Sequence, residues 1–462
     1  MFRIQAKIAP SIIETLFMIV LIIATMSLMI MKFDAPPHIP ILFSILILLF
    51  YGLIKKVSFK DLETGMMEGS KAGLGAIFIF FFIGILISAL MMGGTIPTLI
   101  YYGFETITPH YFFAVVFLIA SLVGVAVGSS LTTTATVGVA FIGMASAMDI
   151  SLAITAGAIV SGAFFGDKMS PLSDTTNLSS SIMQVDLFDH IKNMSWTTIP
   201  ALVISTILFA ILSPSKELKQ TDAIETFQTA LNSTGLIHWY SLIPLLLLVV
   251  MAIKKVPAIP TLAITSFVAV AIGLMIHSYA FADVVKILFE GFVSTTGVVD
   301  IDKLLTRGGL ASMFPTIALV LLALSMGGLL FTLGIVQAIL LKVEHIFRST
   351  GSVITGAAGT AIGINTLIGE QYLSILLTSE AFQDQFKKVG LHNKNLARVV
   401  EDAGTVVNPL VPWSVCGIFI TTVLAVPTTE YFMFAFFCLL SPILTILFGW
   451  TGKTLTYLQP KK

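Results

Sequence analysis

The chain has 462 residues, 56% hydrophobic and 11% charged, with 25 basic residues balancing 25 acidic ones. Soluble domains carry about 25% charged residues, and a mean hydropathy of +0.98 points the same way, so an ordinary soluble fold is excluded. The zero formal net charge gives no general attraction to nucleic acid, and Cys416 and Cys438, both in apolar runs, match no zinc or redox spacing.

Apolar runs of about 17–25 residues, the length that crosses a bilayer as a helix, recur along the whole chain. In order, the predicted spans are 12–31, 38–54, 74–92, 112–128, 195–213, 236–253, 259–277, 311–332, 408–426 and 431–450. The first is too long for the core of a signal peptide and lacks a small-residue cleavage site, so it reads as a membrane helix. Two apolar stretches interrupted by Gly, Ser and Pro, 129–165 and 335–386, are candidates for broken or re-entrant helices, which membrane depth tolerates only where they line a cavity or pack in protein. The runs are continuous, whereas β-barrel strands alternate. The expected fold is an all-α polytopic membrane protein with about 10–12 transmembrane helices plus broken or re-entrant ones.

Lysines set the expected orientation. Arg3 and Lys7 precede the first span, Lys55, Lys56 and Lys60 follow the second, and Lys254 and Lys255 lie between spans. Lys387, Lys388, Lys394 and Arg398 cluster late, and Lys453, Lys461 and Lys462 close the chain. Placing these groups in the cytoplasm puts both termini there and leaves the charged linker 214–235 outside. Segments 58–71 and 281–297 mix acids and bases with apolar residues at helical spacing, and read as amphipathic surface helices on opposite sides of the membrane.

One polar run stands out: Gly166-Asp-Lys-Met-Ser-Pro-Leu-Ser-Asp-Thr-Thr-Asn177. Pro171 lacks an amide N–H and disfavours helix at Ser170, so a helix should break there. A break frees carbonyls, which with hydroxyls and carboxylates are hard oxygen donors suited to Na+, while exposed helix N-termini suit an anion. Asp174, Thr175, Thr176 and Asn177 supply clustered oxygens beside that break, and Asp167 a second acid, with Ser173 and Thr176 as pathway candidates. The bland alternative is a capped loop with a Lys168–Asp pair. A second run, Glu401-Asp-Ala-Gly-Thr405 leading to Asn408-Pro-Leu-Val-Pro-Trp413, again combines acids, hydroxyl, amide and helix-breaking prolines. Glu401, Asp402, Thr405 and Asn408 are its pathway candidates. A hydroxyl patch with Ser129, Ser130 and Thr133, and a segment with Asn365 and Glu370, complete the set. Intramembrane acids of this kind need a partner or a proton, although hydroxyls also bond back to their own helix. Glu14, Glu105 and Asp149 read as solvated or capping groups at helix ends.

The halves resemble each other weakly. Gly124…Gly128 matches Gly359…Gly363, and Asp167 matches Asp402, both at a shift of 235 (359 − 124, 402 − 167), with Gly93-Gly94 against Gly327-Gly328 at 234 (327 − 93). Together with the opposed amphipathic segments this suggests two inverted-topology repeats, 1–213 and 236–462, joined by 214–235. Transporters built that way bind near the midplane at the repeat interface.

At these motifs the chain resembles the NhaC-type Na+/H+ antiporter family. The resemblance rests on the run from Gly166 to Asn177, and is supported by Glu401 to Thr405 leading into Pro409-Leu-Val-Pro-Trp413. It implies a secondary carrier, not an enzyme, that exchanges Na+ or Li+ for H+ across a bacterial cytoplasmic membrane by alternating access. The resemblance implies Asp167, Asp174, Thr175 and Asn177 as candidate Na+ ligands, with Asp402 facing them from the other half; the ions are transported and no cofactor is implied. The family also looks to contain exchangers of organic anions, so the alternative is a Na+- or H+-coupled antiporter of malate, lactate or amino acids, with Lys168 and Arg398 as carboxylate ligands. The implied partners are Na+, H+ and the bilayer, with a small organic anion or amino acid under the alternative. Nucleic acid is not among them, and a homodimer is compatible. There is no G-x-x-x-x-G-K-[ST] phosphate loop, which argues against nucleotide-driven pumping.

Overall fold

Helices dominate because apolar runs in a bilayer must satisfy their backbone groups internally. The computed structural model describes residues 5–71, 73–106, 110–214, 221–298, 301–302, 305–346 and 349–458. Arg3, Lys461, Lys462 and the linker residues 215–220 therefore lie outside the described residues.

The first half runs α1 Ile12–Phe33, α2 His38–Ile54, α3 Phe59–Lys71, α4 Leu74–Met92, α5 Thr95–Thr106 and α6 Phe112–Val127. It continues with α7 Ser130–Ala147, α8 Leu152–Met169, α9 Asp174–Met183, α10 Leu187–Leu212 and α11 Thr221–Ser233. The second half runs α12 Trp239–Ile253, α13 Ala258–Ile276, α14 Phe281–Glu290, α15 Leu310–Thr332, α16 Ile335–Ile346 and α17 Thr350–Ile368. It ends with α18 Gln371–Lys388, α19 Asn393–Leu410, α20 Val415–Leu424, α21 Thr428–Phe434 and α22 Phe436–Thr451. Among the described residues, 8 helices are long and apolar enough to cross a membrane, or up to 10 if each of two bent pairs is one span. The protein is an all-α, multi-pass membrane protein.

Several expectations shift in detail. The bends fall between α19 and α20, at 44°, and between α21 and α22, at 55°. The stretch 335–386 resolves into three separate helices, and 129–165 into α7 and most of α8 joined by a turn. The span expected at 195–213 begins earlier, at Leu187, because Asp186 caps the helix by accepting from the amides of Phe188 and Asp189. Of the amphipathic segment 281–297, only Phe281–Glu290 is helical. The remainder turns back, and Phe292 forms a bridge with Arg307. Glu14 caps as expected, in a reciprocal capping box with Ser11.

Close backbone contact places the elements that matter. Gly162 and Gly166 on α8 press against α6, where a Cβ on Gly166 would lie 2.4 Å from Gly124. Small residues four apart let membrane helices approach this closely. In the same way α3 brings Gly65 and Gly69 against Gly328 of α15, so α3 has a packed face as well as an exposed one. Just before α15, Gly308 presses likewise against α4, where its Cβ would lie 2.5 Å from the Ser88 amide, and Gly93 at the end of α4 meets the Ala269 carbonyl of α13.

Left-handed residues recur at constant spacing. Gly128 and Gly369, Asp149 and Gly390, and Gln184 and Ala425 all have positive φ and stand 241 apart (369 − 128, 390 − 149, 425 − 184). The N-caps Ser129 and Glu370, Ser151 and His392, and Ser173 and Ser414 keep the same spacing (370 − 129, 392 − 151, 414 − 173). The glycine match at 234–235 is therefore out of register: Gly94 is a left-handed turn residue, whereas Gly327 and Gly328 lie inside a helix. The left-handed counterpart of Gly94 is Gly334, 240 residues on (334 − 94). A shift of 241 sets Asp167 against Asn408, and Asp402 against Ser161.

Candidate functional site

α8 ends at the polar run as expected. Ser170 leaves helical geometry before Pro171, and Ser173 starts α9 as its N-cap, accepting from the Thr176 amide. The break is knitted by its own side chains. Asn177 donates its amide to the carbonyls of Pro171 at 2.9 Å and Ser173 at 2.7 Å, Thr176 donates to the Lys168 carbonyl at 3.1 Å, and the Ser173 and Thr175 hydroxyls are 3.1 Å apart. Asp174 and Asn177 are exposed, while Thr175 and Thr176 are buried.

Two centres flank this break. In the first, the Asp167 carboxylate is buried at the start of α7. Its Oδ2 accepts from the Ser130 amide at 3.2 Å and the Ser130 hydroxyl at 2.7 Å. A helix N-terminus favours the charged carboxylate. Among the described residues, no Lys, Arg or His forms an ion pair with Asp167. The other hydroxyls of the patch are committed locally. Ser129 caps α7, and Thr133 donates to the Ser129 carbonyl at 2.8 Å. α7 then widens into a π-turn over Thr134–Gly138, a distortion frequent at functional sites.

The second centre crosses between the halves. Lys168 forms an ion pair with Asp402 in which both side chains are fully buried. Asp402 also accepts from Thr197 of α10 at 3.1 Å and from Thr445 of α22 at 2.7 Å. Lys168 Nζ lies 5.7 Å from the centre of the Phe437 ring, a cation–π distance. Asp402 belongs to a π-turn, Glu401–Thr405, within α19, and Thr405 is buried on the same turn. Glu401 accepts from Ser179 at 2.8 Å, and the Ser179 hydroxyl stands 3.0 Å from His190 Nε2. Arg398 is buried and donates to Thr454.

Asn365 and Asn408 brace the second run. Asn365 donates to the Gly404 carbonyl, Asn408 donates to Asn365 at 2.9 Å, and the Asn408 carbonyl oxygen of the side chain accepts from the Cys416 amide at 3.0 Å. Glu370 is buried as the N-cap of α18 and accepts from the Leu373 amide at 2.7 Å. The structure thus gathers Asp167 with Ser130, and Asp402 with Lys168. It leaves Asp174 at an exposed edge, and gives Asn365, Asn408 and Thr176 bracing contacts.

Thr197, Thr445, Ser179 and His190 were not singled out from the sequence. Ser179, His190, Thr197 and Thr445 lie outside the two polar runs, and only the fold brings them to Asp402 and Glu401. Among the described residues no group of three or more His, Cys, Asp or Glu is placed to hold a metal ion.

The match to a family model decides the affiliation: the model described as the Na+/H+ antiporter family fits residues 162–453, which hold both polar runs. The chain belongs to the Na+/H+ antiporter family. It is 43% identical over 90% of its length to the Na(+)/H(+) antiporter NhaC of Alkalihalophilus pseudofirmus, covering 90% of that protein. It is 38% identical to the NhaC of Bacillus subtilis, over 95% of this chain and 96% of that one. It is also 33% identical to the malate-2H(+)/Na(+)-lactate antiporter of Bacillus subtilis, over 96% of each chain.

Proposed function

We propose that this antiporter-family chain exchanges Na+ or Li+ for H+ across a bacterial cytoplasmic membrane by alternating access, both ions being cargo and no cofactor being involved. The observation that carries this reading is the Asp167 carboxylate. It is buried, accepts from the Ser130 amide and hydroxyl, and among the described residues forms no ion pair with a basic side chain. A buried carboxylate requires a compensating cation or a proton. One acid accepting either in turn couples the two fluxes by competition, and Asp174 and Thr175 stand one break away to complete an oxygen cage.

A repeat architecture supports the same reading. Matching caps at a spacing of 241, and the packing of Gly65 and Gly69 against α15 mirrored by Gly308 and Gly309 against Gly84 and Ser88 of α4, fit two repeats, 1–213 and 236–462, in inverted orientation around a shared site. The lysine distribution favours both termini in the cytoplasm. An organic carboxylate is the weaker reading, because Lys168 is taken by Asp402, and Arg398 donates to Thr454. The relatives named for malate and lactate keep that reading as the thing to exclude.

The test is Na+-driven proton movement in proteoliposomes. Wild-type protein exchanges, Asp167→Asn abolishes exchange, and labelled malate and lactate are not taken up. Normal exchange by Asp167→Asn contradicts the proposal.

A further inference from the structure

We infer that Glu401, Ser179 and His190 form a proton relay linking the Asp402–Lys168 centre to one aqueous edge of the protein. This rests on the exchange reading above and adds a route that brings the proton as far as the ion pair of Lys168, the residue next to Asp167. His190 lies in the first turns of α10 and is fully buried. On the same stretch of helix, Asp189 and Lys192 are exposed, and they mark the edge where the chain meets water. From His190 Nε2 to the Ser179 hydroxyl is 3.0 Å, and from that hydroxyl to Glu401 Oε1 is 2.8 Å. Both are ordinary hydrogen-bond lengths. Glu401 then adjoins Asp402 within the π-turn.

The two ends of this chain are open. Among the described residues, His190 Nδ1 and Glu401 Oε2 are buried with no hydrogen-bond partner. Buried polar atoms of native proteins nearly always have one, and an exception calls for a reason. A group that repeatedly gains and loses a proton supplies that reason. A hydroxyl flanked by an imidazole and a carboxylate can hand a proton across without moving, because it accepts from one as it donates to the other. The Ser179 hydroxyl also lies 3.1 Å from the Thr176 carbonyl, which offers its proton a resting acceptor when Glu401 is protonated.

The transfer balances. A proton binds Nδ1 of His190. The Nε2 proton passes to Ser179 Oγ while the Ser179 proton passes to Glu401 Oε1. Imidazole is left neutral with its proton on Nδ1, and Glu401 is neutral beside the ion pair. The hops reversed carry a proton out. No bond other than N–H and O–H forms or breaks.

The experiment compares two fluxes in proteoliposomes: Na+-driven proton movement, and Na+/Na+ exchange, which needs no proton. Ser179→Ala should lower proton-coupled flux about tenfold or more, the scale at which a positioned proton-transfer group acts, and leave Na+/Na+ exchange unchanged. Ser179→Thr, which keeps the hydroxyl, should restore the coupled flux. His190→Gln should behave as Ser179→Ala does, and serves if that variant does not fold. Wild-type coupled flux in Ser179→Ala overturns the relay. So does a parallel loss of both fluxes that Ser179→Thr fails to restore. A wild-type protein that moves Na+ without protons contradicts the exchange reading itself, and is told apart from both by the unmutated control.

Discussion

Lys168 of α8 and Asp402 of α19 hold the two halves together through one fully buried ion pair. Asp402 is further satisfied by Thr197 and Thr445, so four elements meet at a single carboxylate. Taking two charges out of water is costly, and their attraction repays it only when the remaining hydrogen bonds are made. Removing one partner leaves the other charge buried alone. Lys168→Met should therefore destabilise the protein by about 3–5 kcal/mol, and the double variant Lys168→Met with Asp402→Leu by clearly less than the sum of its singles. Unfolding in detergent, followed as a double-mutant cycle, checks this.

The approach of α6 and α8 gives a second prediction. Gly166 sits against Gly124 with no space for a side chain, and Asp167 is the next residue. Gly166→Val should push the helices apart and cost about 1–3 kcal/mol or more. It should also weaken Na+ binding, because Ser130 and Asp167 separate. A thermal-shift titration with NaCl reads both effects.

Much of this site was legible in the sequence. Acids in apolar surroundings marked the runs at 166–177 and 401–413, and Pro171 located the break. The register was not legible. Glycine identities suggested a shift near 235, whereas left-handed residues recur at 241, among them Asp149, Gln184 and Ala425 as well as glycines. The partners Thr197, Thr445 and Ser179 were hidden because hydroxyls in helices more often bond their own backbone, and His190 because a solitary imidazole carries no ligand spacing. Only packing shows which of them turn outward to a carboxylate.

The turn after α14 is predicted to be acid-sensitive. Asp302 accepts from the amide and hydroxyl of Thr296, from the Ser294 hydroxyl and from the Gly297 amide. The Thr296 amide above all holds its carboxyl below the ordinary 3.8. A carboxyl whose folded value is depressed adds stability above its unfolded value, and loses it as pH falls through the folded one. The turn should therefore be protected at neutral pH and lose that protection progressively as pH falls below about 4, and Asp302→Asn should loosen it at neutral pH. Hydrogen exchange at the amides of Thr296 and Gly297 follows the change.

The central claim is that one buried carboxylate, Asp167, takes Na+ and H+ in turn. Calorimetric Na+ titration of the purified protein, repeated in buffers of different ionisation enthalpy, counts the protons released as Na+ binds. Na+ binding should displace protons, and Asp167→Asn should abolish both the binding and the release while the protein stays folded. Na+ binding without proton release, or unchanged binding and release in Asp167→Asn, would contradict that claim.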